Sequence, residues 1–121
     1  MDIRVQTIIE LINRQPSRDF SLEELAAAVG LSACYLDRLF SQGVGVPCKK
    51  YMSTCRLEAA ADLLLREAFL DVSKISRRVN LKDPNYFCRC FKKHFGITPK
   101  EYRRQHHQKM RVAQANDKIV Q

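Results

Sequence analysis

One stretch of this sequence occurs twice, and that repetition restricts the fold more than any other feature. Leu25 to Tyr51 reads LAAAVGLSACYLDRLFSQGVGVPCKKY, and Ile75 to Tyr102 reads ISRRVNLKDPNYFCRCFKKHFGITPKEY. The offset is about 51 residues, with one residue inserted in the second turn at Lys82-Asp83. Gly30 answers Asn80, Leu31 answers Leu81, Tyr35 answers Tyr86 and Arg38 answers Arg89. Phe40 answers Phe91, Gly45 answers Gly96 and Tyr51 answers Tyr102. Each copy reads as a short helix, a tight turn at Gly or Asn, and a second helix of about a dozen residues, the helix-turn-helix plan. The turn needs a residue that accepts positive φ so that the helices can cross steeply. The second helix then buries one face and offers the other outward, and such a helix fits a major groove roughly 12 Å wide.

Local signals place the remaining elements. Ile8, Leu11 and Ile12 fall at helical spacing in residues 3–13, and Gln15-Pro16-Ser17 ends that segment. Ser21 with Glu24 three residues on is a capping box, and Gly30 closes the helix it opens. Ser32 caps the next helix, which carries Leu36, Leu39 and Phe40 inward and is expected to stop at Gly43-Val44-Gly45. A long helix follows over 47–66, with Pro47 in its first turn. Asp71 starts a short helix ending near Asn80. Asp83-Pro84 opens another, with Phe87, Cys90 and Phe91 inward, stopped by Gly96. Thr98-Pro99 opens a last helix to about Gln105, and no periodicity is legible over 106–121, where fraying is expected. The expected fold is therefore all-α and homeodomain-like, with about seven helices. Residues 1–46 and 68–105 form two helix-turn-helix subdomains, 47–67 the long linker helix between them, and 106–121 a tail.

Composition and charge narrow the partners. No apolar run approaches the ~18 residues of a membrane span. The N-terminal residues lack the apolar stretch of a signal peptide, which points to the cytoplasm and to no membrane partner. Five cysteines (Cys34, Cys48, Cys55, Cys88 and Cys90) at irregular spacings suggest free thiols in a reducing compartment. The net charge of +8 is unevenly spread. Residues 1–73 hold 8 Lys and Arg against 10 Asp and Glu, whereas residues 74–111 hold 12 against 2. Nucleic acid is the commonest partner of so concentrated a cation, and an anionic membrane surface would require an apolar face opposite the charge.

The second copy, DPNYFCRCFKKHFGITPKEYRR from Asp83 to Arg104, closely resembles the signature of the AraC/XylS family of bacterial transcription regulators. The resemblance extends over about residues 3–105 and includes both repeats. It implies two subdomains joined by a linker helix, and a chain that acts as a monomer in the bacterial cytoplasm, at the nucleoid. Both recognition helices would then enter successive major grooves of double-stranded DNA, roughly 34 Å apart. The site would be asymmetric and about 20 bp long, and bending it would cost of order 1–6 kcal/mol. The family also implies contact with RNA polymerase, commonly to activate. Many members carry a separate ligand-binding or dimerisation domain, which these 121 residues do not show. Two departures stand out. The second turn has Asn80-Leu81 where the family usually has glycine and phenylalanine, and the outward face of the first recognition helix is sparsely basic.

Specific roles follow from helix faces and that resemblance. On the first recognition helix, Cys34, Asp37 and Arg38 are expected to face the bases. Arg38 can fork onto guanine; Asp37 either accepts from cytosine or merely orients Arg38. On the second, Asn85 suits adenine, Arg89 suits guanine or forms a structural salt bridge, and Cys88 lies on the same outward face. Lys92 and Lys93, with Ser32, Lys49, Lys82, Lys100 and Arg103 near helix ends, are expected at phosphates. Tyr35, Tyr51, Tyr86 and Tyr102 are expected to pack rather than to stack on bases. No cofactor or metal is expected: no Cys-x-x-Cys pair has zinc spacing, and no phosphate loop or nucleophile elbow is present, which argues against an enzyme. Redox sensing through Cys34 or Cys88, and a module that binds only protein partners, remain the competing readings.

Overall fold

The computed structural model describes residues 1–107, so most of the expected tail lies outside the described residues. Among the described residues there are seven helices and no strand. They are α1 (Ile3–Arg14), α2 (Leu22–Ala28), α3 (Ala33–Val44), α4 (Cys48–Arg66), α5 (Val72–Arg78), α6 (Pro84–Phe95) and α7, residues 99–107. The last helix therefore runs two residues past its expected end, through His106 and His107. The Tyr102 and His106 rings, one turn apart, lie 4.2 Å from each other there.

The chain forms two compact units that divide inside α4, one from Met1 to Arg56 and one from Leu57 onward. The long helix is thus more than a spacer, because each half belongs to a core. In the first unit Cys48, Met52 and Cys55 of α4 join Val5, Ile8 and Ile12 of α1, Leu25 of α2, and Leu36 and Phe40 of α3. In the second, Leu57, Ala60, Ala61 and Leu64 join Ile75, Val79, Phe87 and Phe91. Both sets recur at three- and four-residue spacing, as a helix burying one stripe requires.

Caps account for where the helices begin. Ser21 Oγ accepts from Glu24 N at 3.0 Å, and Ser32 Oγ accepts from Tyr35 N at 3.3 Å. Asp83 accepts from Asn85 N at 3.0 Å, ahead of Pro84. The stop of α3 differs from expectation. Gly43 lies within the helix, and Gly45, at φ 94°, is the left-handed cap whose N–H returns to Ser41 O. Gly96, at φ 84°, ends α6 in the same way.

The two helix-turn-helix turns reach one geometry by different means. In the first, Gly30 takes φ 70° and Leu31 N donates to Ala26 O at 2.9 Å. In the second, Asn80 takes φ 62° and Leu81 N donates to Ser76 O at 2.9 Å. Here the buried Ser76 hydroxyl also donates to Leu81 O, a bond for which Ala26 has no equivalent. A non-glycine residue at positive φ costs roughly 1–2 kcal/mol, and a second hydrogen bond across the same turn opposes that cost.

Candidate nucleic-acid interface

In the first unit α2 and α3 form the helix-turn-helix, and α3 presents its outward face. Leu36 and Phe40 are fully buried, and Leu39 is half-buried against the same core. Ser32, Cys34, Tyr35 and Arg38 are exposed. In the second unit Phe87 and Phe91 fill the core under α6, and Asn85, Tyr86, Arg89, Lys92 and Lys93 are exposed. Neither Arg38 nor Arg89 enters an ion pair among the described residues, so both guanidinium groups are available to a partner. The structural salt bridge considered for Arg89 is thus not made with any described residue.

Three expected contacts are redirected by the structure. The Asp37 carboxylate accepts from the backbone N–H of Cys48 at 3.1 Å, which caps the start of α4. That is neither a base contact nor a partner for Arg38. Burial first, and the nearby Asp37 charge second, push the Cys48 thiol up to about 11, so it stays protonated and inert. Cys88 is half-buried and packs against the second core, which removes it from the exposed face. Arg103 turns inward: its Nε donates to Leu64 O at 2.9 Å, and its Nη2 to Glu67 O at 3.1 Å and Leu70 O at 2.8 Å. Those carbonyls end α4 and form the turn after it. Arg103 therefore ties α7 to that turn through three backbone carbonyls, one of which, Glu67 O, also accepts the Leu70 N–H.

The tyrosines also divide. Tyr51 packs edge-on against Phe40 at 5.5 Å, and Tyr102 against Phe91 at 5.4 Å. Tyr35 and Tyr86, expected to pack, are instead 42% and 49% exposed at matching positions on the two recognition helices. A guanidinium lies 5.9 Å from each ring: Arg4 at Tyr35, and Arg89 at Tyr86. A hydrogen bond with Cys90 is the main cause that raises the pKa of Tyr86, so the phenol stays protonated. The signal for their exposure was present: each precedes a core residue, Leu36 or Phe87, by one position, and so faces about 100° away on the helix.

Of the remaining cations, Lys82 and Lys100 are exposed at the starts of α6 and α7. Lys49 is exposed near the start of α4 and lines a pocket of about 380 Å³ shared with Asp19, Glu23 and Arg56. Arg56 pairs there with Asp19 at 2.6 Å. No helix among the described residues is long and apolar enough to cross a membrane.

Residues 25–105 match the model of a helix-turn-helix domain family. The lactose operon transcription activator of Staphylococcus xylosus is 35% identical over 103 residues, which are 85% of this chain and 36% of that protein. A transcriptional regulator of the AraC-type DNA-binding-domain proteins from Chromobacterium violaceum has been solved. It superposes with a TM-score of 0.78 at 28% identity, over 84% of this chain and 90% of its own. The chain belongs to the AraC family. At 22% identity, the DNA-binding domain of AdpA, solved in complex with a target DNA, shares the fold with a TM-score of 0.78 over 88% of this chain and 95% of its own. This AraC-family chain spans about a third of the length of the curated relatives it matches. The family match starts at Leu25, inside α2; α1 lies ahead of it, yet supplies Val5, Ile8 and Ile12 to the first core.

Proposed function

We propose that the chain is a sequence-specific double-stranded DNA-binding transcription regulator that reads DNA through α3 and α6. The observation that carries this reading is the pair Arg38 and Arg89: equivalent in the repeat, exposed, outside every ion pair among the described residues, and each on the outward face of the second helix of a helix-turn-helix. A guanidinium so placed can bond O6 and N7 of guanine together. Cys34 and Asn85 sit at equivalent positions beside them and supply the rest of the base-facing surface. Ser32, Lys82, Lys92, Lys93 and Lys100 surround those faces and suit phosphates, with Lys49 a weaker contributor because carboxylates share its pocket. One recognition helix per unit suits one groove each, and so a monomer on an asymmetric site in the cytoplasm. Contact with RNA polymerase is what the family resemblance implies, and activation fits the name of the relative called the lactose operon transcription activator.

The test is titration of a preferred duplex and a scrambled one. Arg38→Ala and Arg89→Ala should each weaken the preferred duplex by about 1–3 kcal/mol and leave the scrambled one nearly unchanged. Equal losses on both duplexes would reduce the arginines to phosphate contacts.

A further inference from the structure

We infer that Arg4, on α1, is a DNA-phosphate contact of the first unit; this rests on reading α3 as a recognition helix. Arg4 lies ahead of the family match and carries no helix-turn-helix residue's equivalence, so the repeat does not reveal it. Its guanidinium stands 5.9 Å from the Tyr35 ring, the distance that separates Arg89 from Tyr86. In the second unit the cation at the exposed tyrosine comes from the recognition helix itself, three residues on. In the first unit the equivalent residue is Arg38, but the cation at the tyrosine comes from α1. Two guanidinium groups therefore border the outward face of α3, one at its middle and one at its N-terminal edge.

Arg4 is held in place rather than free in solvent. Asp2 caps α1 by accepting from Arg4 N at 2.8 Å, and it accepts from the same residue's Nε at 3.2 Å and Nη2 at 2.9 Å. The pair is half-exposed, 39% for the Arg4 side chain and 31% for Asp2, so salt and a competing anion can displace it. A side chain entering from a neighbouring helix at the edge of the reading face meets the groove wall, where phosphates lie, and not the groove floor. A guanidinium matches phosphate in a two-pronged geometry, as it does the Asp2 carboxylate. On DNA, Arg4 exchanges Asp2 for phosphate, while Asp2 keeps its cap to Arg4 N.

The experiment compares wild type, Arg4→Ala and Asp2→Asn on a random-sequence duplex over a range of salt, with melting curves to show that each variant is folded. Arg4→Ala should make the slope of log K against log salt shallower by about 0.9. Asp2→Asn should tighten binding, because asparagine caps as well as aspartate but does not hold the guanidinium or repel phosphate. A folded Arg4→Ala with the wild-type slope, or a folded Asp2→Asn that binds more weakly, would overturn the assignment. A wild-type protein without salt-dependent duplex binding would instead remove the DNA reading itself.

Discussion

In the first unit the helix after the recognition helix opens at Pro47-Cys48, and in the second the equivalent helix opens at Thr98-Pro99. Proline has no side-chain acceptor, so Asp37 reaches across from α3 to cap Cys48 N. Thr98 caps its own helix, accepting from Glu101 N at 3.2 Å. The second recognition helix is thereby released from carrying a carboxylate, and Cys88 occupies that place. Residues 33–44 of α3 hold one acid and one base, Asp37 and Arg38, whereas residues 84–95 of α6 hold Arg89, Lys92 and Lys93 with no acid. A capping requirement of the next helix thus sets the charge of a reading surface. It makes the second unit the stronger electrostatic partner and leaves the first dependent on Arg38 and Arg4.

The largest effect separating the units is expected at Arg103, which stands where the first unit has the buried Met52. Arg103→Ala removes the side-chain bonds to three carbonyls, of which Glu67 O keeps the Leu70 N–H, and should cost about 2–3 kcal/mol. Hydrogen exchange should show the loss in residues beyond Arg56, with the first core unaffected; a uniform loss would contradict two separate cores. Next is Ser76→Ala, which installs the first unit's residue beneath a turn that lacks glycine. It should destabilise by about 1–2 kcal/mol in urea, and an unchanged midpoint would mean that Asn80 needs no support from that hydroxyl.

The capping account is tested directly by Asp37→Ala, which should cost about 1 kcal/mol while leaving the preferred DNA sequence unchanged. Adding Pro47→Ser to that variant gives α4 a cap of its own and should restore most of the loss. A folded Asp37→Ala with altered sequence preference and unchanged stability would return Asp37 to base reading. The smallest effect on stability, and the clearest on binding, belongs to Lys92→Gln with Lys93→Gln. Their combined salt slope should fall by about 1.8, against at most about 0.9 for Lys49→Gln.

The sequence shows those features whose causes are local. Ser21, Ser32 and Asp83 sit within three residues of the N–H groups they cap, and Asn80 and Gly96 mark their turns at the residue that takes positive φ. Gly43 misleads because Gly-Val-Gly offers two possible stops, and the choice of Gly45 depends on how far α3 packs. Gly43 faces α1, where an added Cβ would lie 3.7 Å from the Met1 side chain and 3.8 Å from Val5. The bonds of Asp37 and Arg103 are not legible in the sequence for a shared reason: their partners lie 11 and 33–39 residues away, beyond any local pattern. Tyr35 and Tyr86 look like core because they recur, yet what the repeat preserves at that position is an exposed ring beside a guanidinium.

The most direct test of the central claim is selection of bound duplexes from a random pool at near-physiological salt, with wild type, Arg38→Ala and Arg89→Ala. Two readers in one chain predict an asymmetric motif with two informative blocks about one helical turn apart, and each variant should erase a different block. No enriched motif, with binding that vanishes as salt rises, or two variants that erase the same block, would contradict it.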